Sequence, residues 1–348
     1  MTEAEPRAAA AEKPTVTIIV PCRNEAGFIG PFLDDLAGQT GLATPPEIII
    51  ADGESDDGTR GIIESRRERL PGLRVLANPE RIVSTGLNRA IREARGEFII
   101  RMDVHTTYAE DYCAACLAAI RRTGAANVGG PARTRAQGAV AEAIAAAYAS
   151  RFAVGGARFH FADYEGEVDT VTYGCWRRET LLEIGLFDEG LVRNQDDELN
   201  YRLRRAGGVI WQDPRIRSWY HPRNSFGRLF RQYYQYGYWK PAVIARHGSP
   251  ASLRHLVPAG FVAAGIVSLV AGVVWRPALV LFGLWAAAYL LFVLAGTVSV
   301  GRRRGWRLAP LLPVAFFCYH FGYGLGFLRG LLFPPRGRGD AKATDLTR

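Results

Sequence analysis

The sequence predicts an α/β fold, a mostly parallel sheet flanked by helices, followed by a C-terminal transmembrane helical region. Three observations carry this. Short β-branched or apolar runs alternate with helical segments through residues 15–102, the pattern that calls for a parallel sheet. Three of those runs end in polar clusters, as strands do where an open sheet binds ligand beyond its carboxyl edge. From residue 256 to residue 333 the chain turns apolar with few charges, whereas the part before about residue 250 is charged and mixed.

The 348 residues allow one large domain or two smaller ones. The formal charge is +9, and much of the excess lies in Arg-rich patches at 202–231, 302–307 and 336–338. Basic patches fit nucleic acid or an anionic membrane surface. Here they adjoin apolar spans and no nucleic-acid motif accompanies them, so the membrane reading is favoured and no nucleic-acid partner is expected. The five cysteines (Cys22, Cys113, Cys116, Cys175 and Cys318) form an odd, scattered set that suits a reducing compartment. Cys113 and Cys116 have redox-like spacing, but they fall inside an expected helix and read as small apolar residues on one face. Residues 1–13 are rich in Ala, Glu and Pro, so a disordered tail is expected there and not a signal peptide.

The first strand is expected over 15–20, ending in Pro21-Cys22-Arg23-Asn24-Glu25, with a helix over 27–37. The second, 47–51, ends in Asp52-Gly53-Glu54-Ser55-Asp56-Asp57-Gly58-Thr59, and a helix follows to about residue 70. A short third strand covers 73–77. Ser84 is a candidate N-cap for a helix over 85–93. A strand over 97–102 then leads into Asp103-Val104-His105 and a helix over 109–122.

The stretch from Glu97 to His105 organises the rest. A buried parallel strand reads as a short apolar run, and this one ends in an acid, a spacer and a histidine. On a turn, Asp103 and His105 can face one ion. A carboxylate with an imidazole suits Mg²⁺ or Mn²⁺ held together with a substrate diphosphate. The alternative is an Asp that caps the following helix. After the second strand, Asp52 can accept hydrogen bonds from a base or a ribose, and Gly53 and Gly58 let the backbone turn sharply against a ligand. Glu25 would lie beside Asp52 and orient the same nucleoside. Asp57 and Thr59 fit helix capping better than ligand contact. Arg89 can offset diphosphate charge or sit in solvent. Taken together, these clusters fit a nucleotide-sugar site.

Pro21-Cys-Arg-Asn-Glu25, Asp52-Gly-x-Ser-x-Asp-Gly-Thr59, Gly86-x-Asn-x-Ala90 and the acid cluster at Asp103 resemble glycosyltransferase family 2, with its GT-A fold, over roughly residues 14–240. Arg101-Met-Asp-Val-His105 and the run from Arg193 to Arg202 are more narrowly similar to the succinoglycan-type exopolysaccharide transferases. The resemblance implies nucleotide-sugar contacts at Pro21, Arg23, Glu25, Asp52, Gly53, Asn88, Arg89 and Asp103, and a divalent metal at Asp103 and His105. Two departures stand out. Ala51-Asp52 replaces the usual paired Asp, which leaves Asp52 as the nucleoside contact. His105 stands where the second metal acid of Asp-x-Asp would be.

The second half should hold the acceptor. An Ala-rich helix is expected over 139–152, with a flexible Gly-rich segment over 152–158 that can border the site. A strand over 168–173 runs into Gly174-Cys175-Trp176, which resembles the family's Gly-rich acceptor turn. Trp176 can stack on a sugar ring or sit in the core with its N–H satisfied. Inverting transfer needs a carboxylate to take the proton of the attacking hydroxyl. The departing nucleoside diphosphate needs positive charge, which a metal supplies. The family pattern Glu-Asp-x-Glu-Leu falls on Gln195-Asp196-Asp197-Glu198-Leu199. The resemblance therefore makes Asp196 the base and puts Asp197, Glu198 and Arg202 beside the acceptor. An acidic helix N-terminus favoured by the macrodipole is the alternative. Residues 225–245, rich in Arg and aromatics, suit an amphipathic helix at a membrane surface or a core-packing helix. Processive members carry Gln-x-x-Arg-Trp nearby. Here Gln235-Tyr-Gly-Tyr-Trp239 has Tyr for Arg, which implies one sugar added per acceptor, with Gln235 and Trp239 near it.

Residues 257–275 and 278–300 are each long enough to cross a hydrocarbon core, which takes about 20 residues. Arg276-Pro277 marks a hairpin end, since an Arg at mid-bilayer costs roughly 2.5–3.5 kcal/mol. Residues 308–333, interrupted by His320 and Arg329, are a third candidate. The basic cluster at 302–307 should be cytoplasmic, and two crossings before it place the catalytic part in the cytoplasm. The expected organisation is a tail (1–13), a GT-A domain (14–224), an interfacial helix region (225–255), a membrane region of two or three helices (256–333) and a basic tail (334–348).

The expectation is an inverting, metal-assisted glycosyltransferase of the bacterial inner membrane. It would move a hexose from a UDP-sugar, UDP-glucose by the resemblance, to a lipid-linked saccharide in exopolysaccharide or surface-glycan assembly, alongside other polysaccharide-assembly proteins. The competing expectation is a catalytically silent scaffold that binds nucleotide sugar for another transferase, supported by Asp-x-His and Gln195. Few intramembrane charges argue against a transport path.

Overall fold

A computed structural model describes residues 14–335, so the expected N-terminal tail and the Arg336 and Arg338 region lie outside the described residues. The chain opens with β1 (Val16–Cys22), α1 (Ile29–Ala37), β2 (Glu47–Asp52), α2 (Thr59–Ser65), β3 (Leu73–Ala77), α3 (Val83–Glu93) and β4 (Phe98–Arg101), close to the expected boundaries. It continues through β5 (Thr106–Tyr108), α4 (Tyr112–Thr123), β6 (Asn127–Gly130), β7 (Arg133–Thr134), α5 (Ala139–Tyr148), α6 (Arg151–Val154), β8 (Gly166–Glu167), β9 (Thr172–Arg177) and α7 (Arg178–Glu183). Then come α8 (Gln195–Arg205), β10 (Ile210–Gln212), β11 (Ser218–Tyr220), α9 (Phe226–His247), α10 (Val257–Val274), α11 (Ala278–Arg304) and α12 (Leu312–Leu332).

Eight strands form one sheet in the order β3-β2-β1-β4-β9-β6-β10-β8. Strands β3, β2, β1 and β4 are parallel, and β9 runs antiparallel between β4 and β6. The side-chain period of two divides each apolar run between two cores. Ile18, Ile48, Ile50 and Ile100 face α1 and α4. Ile19, Ile49 and Ile99 face α3 and α8. A second sheet, β5-β11-β7, joins strands too short to show as sequence patterns.

Three expectations on local structure are corrected. Ser84 does not cap α3. The helix starts at Val83, two residues earlier than expected, and the Ser84 hydroxyl donates to the Leu191 carbonyl. The helix expected over 139–152 breaks after Tyr148, and Ser150 recaps the short α6 by accepting from the Phe152 N–H. The strand expected to stop at Tyr173 instead runs on to Arg177, because Cys175, Trp176 and Arg177 pair with β4 inside the sheet.

The helical half is tied to the sheet half through α9. Its residues Phe230, Tyr234 and Tyr238 meet Gly322, Gly326 and Gly330 of α12 in ascending order, so the two helices run parallel. A methyl group on Gly326 would lie 2.0 Å from the Tyr234 carbonyl oxygen, and one on Gly330 2.2 Å from that of Tyr238. Only glycine admits so close an approach. The aromatics of α9 pack inward as well, with Tyr233 edge-on to Tyr319 at 4.4 Å. The expected membrane-surface helix at 225–245 is thus a core-packing helix between the sheet domain and α12. Two helices are long and apolar enough to cross a membrane, Leu253–Val274 and Ala278–Arg304, and Arg276-Pro277 falls in the turn between them. Their outer faces leave Val273 and Val274 84% and 92% exposed. Apolar surface this continuous fits contact with a membrane or with another protein.

Gly326→Ala should destabilise the protein by about 1–3 kcal/mol, the usual range for overpacking. Gly283→Ala, in α11 where an added methyl meets nothing within 4 Å, should cost nothing measurable. Thermal unfolding of both variants in the same lipid or detergent checks this.

Candidate active site

The strand order reverses between β1 and β4, the place where open α/β sheets bind ligand. The loops after β1, β2 and β4 meet there. After β1, the Glu25 N–H donates to Thr59 Oγ1 at 2.7 Å, and the Glu25 carboxylate accepts from His105 Nε2 at 2.9 Å. Burial first, then the Arg223 charge, lowers the His105 pKa, against the opposing pull of Asp103. Burial thus favours the neutral form of the ring. With Nε2–H committed to Glu25, its Nδ1 lone pair stays available. Phe28 braces the ring edge-on at 4.7 Å.

The Arg101 guanidinium grips Asp103 through two bonds, Nε to Oδ1 at 2.8 Å and Nη2 to Oδ2 at 2.9 Å. Burial alone would lower the Arg101 pKa, but Asp103 first and Asp196 next raise it above the ordinary value. Asp196 sits in the first turn of α8, which starts after a left-handed Asn194. Its Oδ1 accepts from the Asp197 N–H at 2.9 Å, and among the described residues no basic side chain is ion-paired with it. Burial, and then the Asp197 charge, raises its pKa. Asp197 behaves oppositely: burial would raise it, but Lys240 of α9, bonded at 2.6 Å, holds it below the usual carboxylate range. Two adjacent carboxylates are thereby driven apart, one a ready proton acceptor and the other a fixed anion.

Arg101, Asp103, Asp196 and Asp197 line a cavity of about 790 Å³. Its far wall is built from Tyr148, Tyr236 and Tyr220 and continues onto α10, α11 and α12. The sequence did not mark Arg101 or Lys240 as site residues. Arg101 reads as the end of an apolar strand, and Lys240 lies in a helix far along the chain from Asp197.

Other expected site residues sit elsewhere. Pro21 lies within β1 opposite Ala51, and Gly53 donates to the Cys22 carbonyl while packing against the Arg23 side chain. Asp52 is fully buried, bound by Ser55 Oγ at 2.5 Å and by Arg60, so its carboxylate organises the loop and is not turned to a nucleoside. Asn88 clamps the Phe187 backbone, donating to its carbonyl at 2.8 Å and accepting from its N–H at 2.9 Å, so it is a structural residue. Arg89 pairs with Glu80 at the surface. Trp176 is 1% exposed, edge-on to Phe187 at 6.1 Å, with no face left for a sugar; Gly174 makes room for its ring. Gln235 and Trp239 are buried in α9, Trp239 among Leu191, Val192 and Val243. Glu198 is 2% exposed and binds Arg202 and His247, while Arg202 also donates to the Leu186 carbonyl. Neither reaches the cavity, so both belong to the packing of α8 and not to the acceptor.

Residues 17–183 match the family model described as Glycosyl transferase family 2. Over 319 residues, 90% of this chain and 94% of the relative, the sequence is 33% identical to succinoglycan biosynthesis protein ExoA of Rhizobium meliloti (strain 1021). The chain belongs to glycosyltransferase family 2. This transferase is also 26% identical, over 91% of its length and 97% of the relative, to a dolichyl N-acetyl-alpha-D-glucosaminyl phosphate 3-beta-D-2,3-diacetamido-2,3-dideoxy-beta-D-glucuronosyltransferase of Methanococcus voltae. Its fold is similar to that of the mannosyltransferase PcManGT from Pyrobaculum calidifontis, solved with GDP-Man and Mn²⁺. The TM-score is 0.57 at 18% identity, covering 92% of this chain and 90% of that one. It is a GT-A glycosyltransferase of exopolysaccharide or related glycan biosynthesis.

Glu198→Gln should reveal itself in stability and not in acceptor affinity. Removing one partner of a buried ion pair costs about 3–5 kcal/mol. Unfolding midpoints and acceptor KM, measured on the same preparation, separate the two roles.

Proposed function

We propose that this transferase is inverting, takes a hexose from a UDP-sugar, UDP-glucose by its likeness to the succinoglycan-type enzymes, and adds it to a lipid-linked saccharide. The catalytic half would lie on the cytoplasmic side of a bacterial inner membrane, held by α10 and α11. One observation supports this above the rest. A single cavity holds Asp103 on the donor side and Asp196 on the other, with Arg101 between them, and extends among the apolar helices.

Asp196 is the base. As the acceptor oxygen bonds to the anomeric carbon and the bond from that carbon to the diphosphate breaks, the hydroxyl proton passes to the Asp196 carboxylate. Its raised pKa makes it a better acceptor than an ordinary Asp, and Asp197 with Lys240 holds that environment in place. Arg101 keeps Asp103 oriented toward the diphosphate. The donor set at Asp103 and His105 fits a divalent ion. Each Asp103 oxygen retains a lone pair beyond its bond to Arg101, and His105 offers Nδ1 with Glu25 behind it, the carboxylate–histidine arrangement typical of metal ligands. Among the described residues no group of three ligating side chains is present, so the ion would arrive with the diphosphate. When bound, it would supply positive charge to the leaving group.

Asp196→Asn should lower transfer by about 10²–10⁴-fold, the range for loss of a general base, while nucleotide binding by calorimetry stays unchanged; retained turnover would remove Asp196 from the role. Asp197→Asn should move the acid limb of the pH profile to lower pH. It deletes the negative charge that raises the Asp196 pKa and leaves Lys240 to stabilise the Asp196 anion. A limb that stays put or rises would contradict the pairing. Mn²⁺ followed by electron paramagnetic resonance should bind the protein only when UDP is added. Glu25→Gln should weaken that ternary binding by about 10–100-fold, and Mn²⁺ uptake without UDP would contradict the site.

A further inference from the structure

Helix α12 has the length of a membrane span, since its 21 residues at 1.5 Å each make about 30 Å. Its neighbours nevertheless place both of its ends on the catalytic half. Just before it, Arg307 pairs with Glu142 of α5. Leu312 is fully buried with Ala143, Ile144 and Ala147 of α5, and the Tyr319 hydroxyl donates to the Ile144 carbonyl at 3.0 Å. Cys318 Sγ lies 3.5 Å from the Phe226 carbonyl, where α9 begins. At the far end Gly330 packs against the Tyr238 carbonyl, and the next residue of α9, Trp239, sits among Leu191 and Val192 ahead of α8. A helix that crossed a bilayer would carry one end about 30 Å away from the domain in water. This one runs along that domain from end to end. The hairpin before it differs. Arg254, ahead of α10, pairs with Asp169, and α11 ends in Arg302, Arg303 and Arg304, close before Arg307. Both feet of the hairpin thus stand on the catalytic half, and its turn at Arg276-Pro277 lies at the other end.

The side of α12 turned away from α9 is apolar. Val314, Phe317, Phe321, Leu325, Leu328 and Leu332 recur every three or four residues and form one stripe. Val314, Phe317 and Leu332 are 42%, 44% and 72% exposed. Phe321 meets Phe261 of α10 edge-on at 6.2 Å, so the stripe continues onto the apolar hairpin. The charge around it has one sign. From Pro214 to Gly339 the chain holds sixteen Lys and Arg and no Asp or Glu. Arg228 and Arg231 lie one turn apart on α9, and Arg302, Arg303 and Arg304 come shortly before α12. All five are exposed, and among the described residues none has an acidic partner. Cations beside an apolar stripe hold a helix in the plane of an anionic bilayer.

We propose that α12 is an interfacial helix and not a third span. Its stripe lies at the headgroup boundary of the leaflet nearest the catalytic half, with Arg228, Arg231 and the run from Arg302 to Arg304 on anionic headgroups. Only the α10–α11 hairpin passes deeper, so Phe333 ends on the same side as Asp196. This rests on the reading of α10 and α11 as the membrane anchor. Continuity with the hairpin and the unpaired cations favour lipid over a protein as what covers the stripe. Because α12 is locked to α9, and α9 to Asp197 through Lys240, the bilayer surface then sets the height of the catalytic acids.

The test uses the full chain in vesicles of phosphatidylcholine and phosphatidylglycerol. Nitroxides go on single cysteines at Val314→Cys, Leu325→Cys and Leu332→Cys of α12 and at Leu291→Cys of α11; the five native thiols are buried. Unchanged unfolding midpoints show that the variants fold. Depth is read from relaxation by oxygen against a water-soluble nickel complex. The three α12 labels should lie together, about 5–10 Å into the boundary, and Leu291 near the bilayer centre, about 15 Å deep. A central Leu325 label with Val314 and Leu332 shallow on either side would mean a span and overturn the proposal. Labels on α12 that meet no lipid would overturn it too, since the stripe would then face water or a protein. A Leu291 label outside the bilayer would refute the anchor reading while shallow α12 labels still stood. Arg228→Gln with Arg231→Gln should raise nickel collisions at Val314 about twofold or more and leave Leu291 unchanged. No rise at Val314 would remove the arginines from the headgroup role.

Discussion

The buried Arg101 guanidinium is the constraint on which the site depends. It ends β4, a central strand, and faces carboxylates that come from opposite directions in the chain. Asp103 follows it on the same loop and is held by two bonds, and Asp196 approaches from the first turn of α8. An arginine 6% exposed must have anionic partners, because its charge cannot be neutralised by losing a proton. The strand end and Asp103 are therefore fixed relative to one another, and Asp196 at the start of α8 lies within the reach of the same charge. The donor corner and the proton acceptor share that one cation.

A second constraint links the chemistry to the apolar helices. Helix α9 supplies Lys240 to Asp197 on one side and receives the glycines of α12 on the other. The backbones of α9 and α12 approach so closely that the sheet domain and the apolar helices form one packed unit around the cavity. Phe152 of α6 adds a third tie, its carbonyl held by His320 of α12. That bond also explains a histidine in the middle of a mostly apolar helix: it joins two elements and has no need of charge.

Much of this fold is legible in the sequence because it is local. The β-branched runs, their polar ends and the apolar spans report strands, loops and helices through contacts of neighbours. Cys113 and Cys116, expected to be small apolar residues on one helix face, are both buried in α4. What the sequence hid depends on partners far along the chain. Asn88 looks like a ligand residue until Phe187, 99 residues on, takes up its amide. Trp176 looks available until β9 is inserted between β4 and β6. Gln235 and Trp239 carry a family-like spacing, but the packing of α9 turns them inward and leaves Lys240 as the residue that reaches the acids. Asp52 keeps its motif but spends its carboxylate on Ser55 and Arg60. An acid at a strand end or a helix start is common by itself, and Asp103 and Asp196 were visible because they sit in stretches that resemble the family's motifs. The role of the arginine between them was not, since Arg101 stood in one of those stretches without any sign of which carboxylates it would meet.

The most direct test of this coupling is the pH profile and donor KM of nucleoside diphosphate release by Arg101→Met, in nanodiscs, beside the parent. The account predicts that both change together. Donor KM rises because Asp103 loses its orientation, and the acid limb moves to higher pH because Asp196 loses the cation that lowers its pKa. A rise in KM with an unmoved acid limb would contradict it, and would mean that the two ends of the cavity are not joined through Arg101.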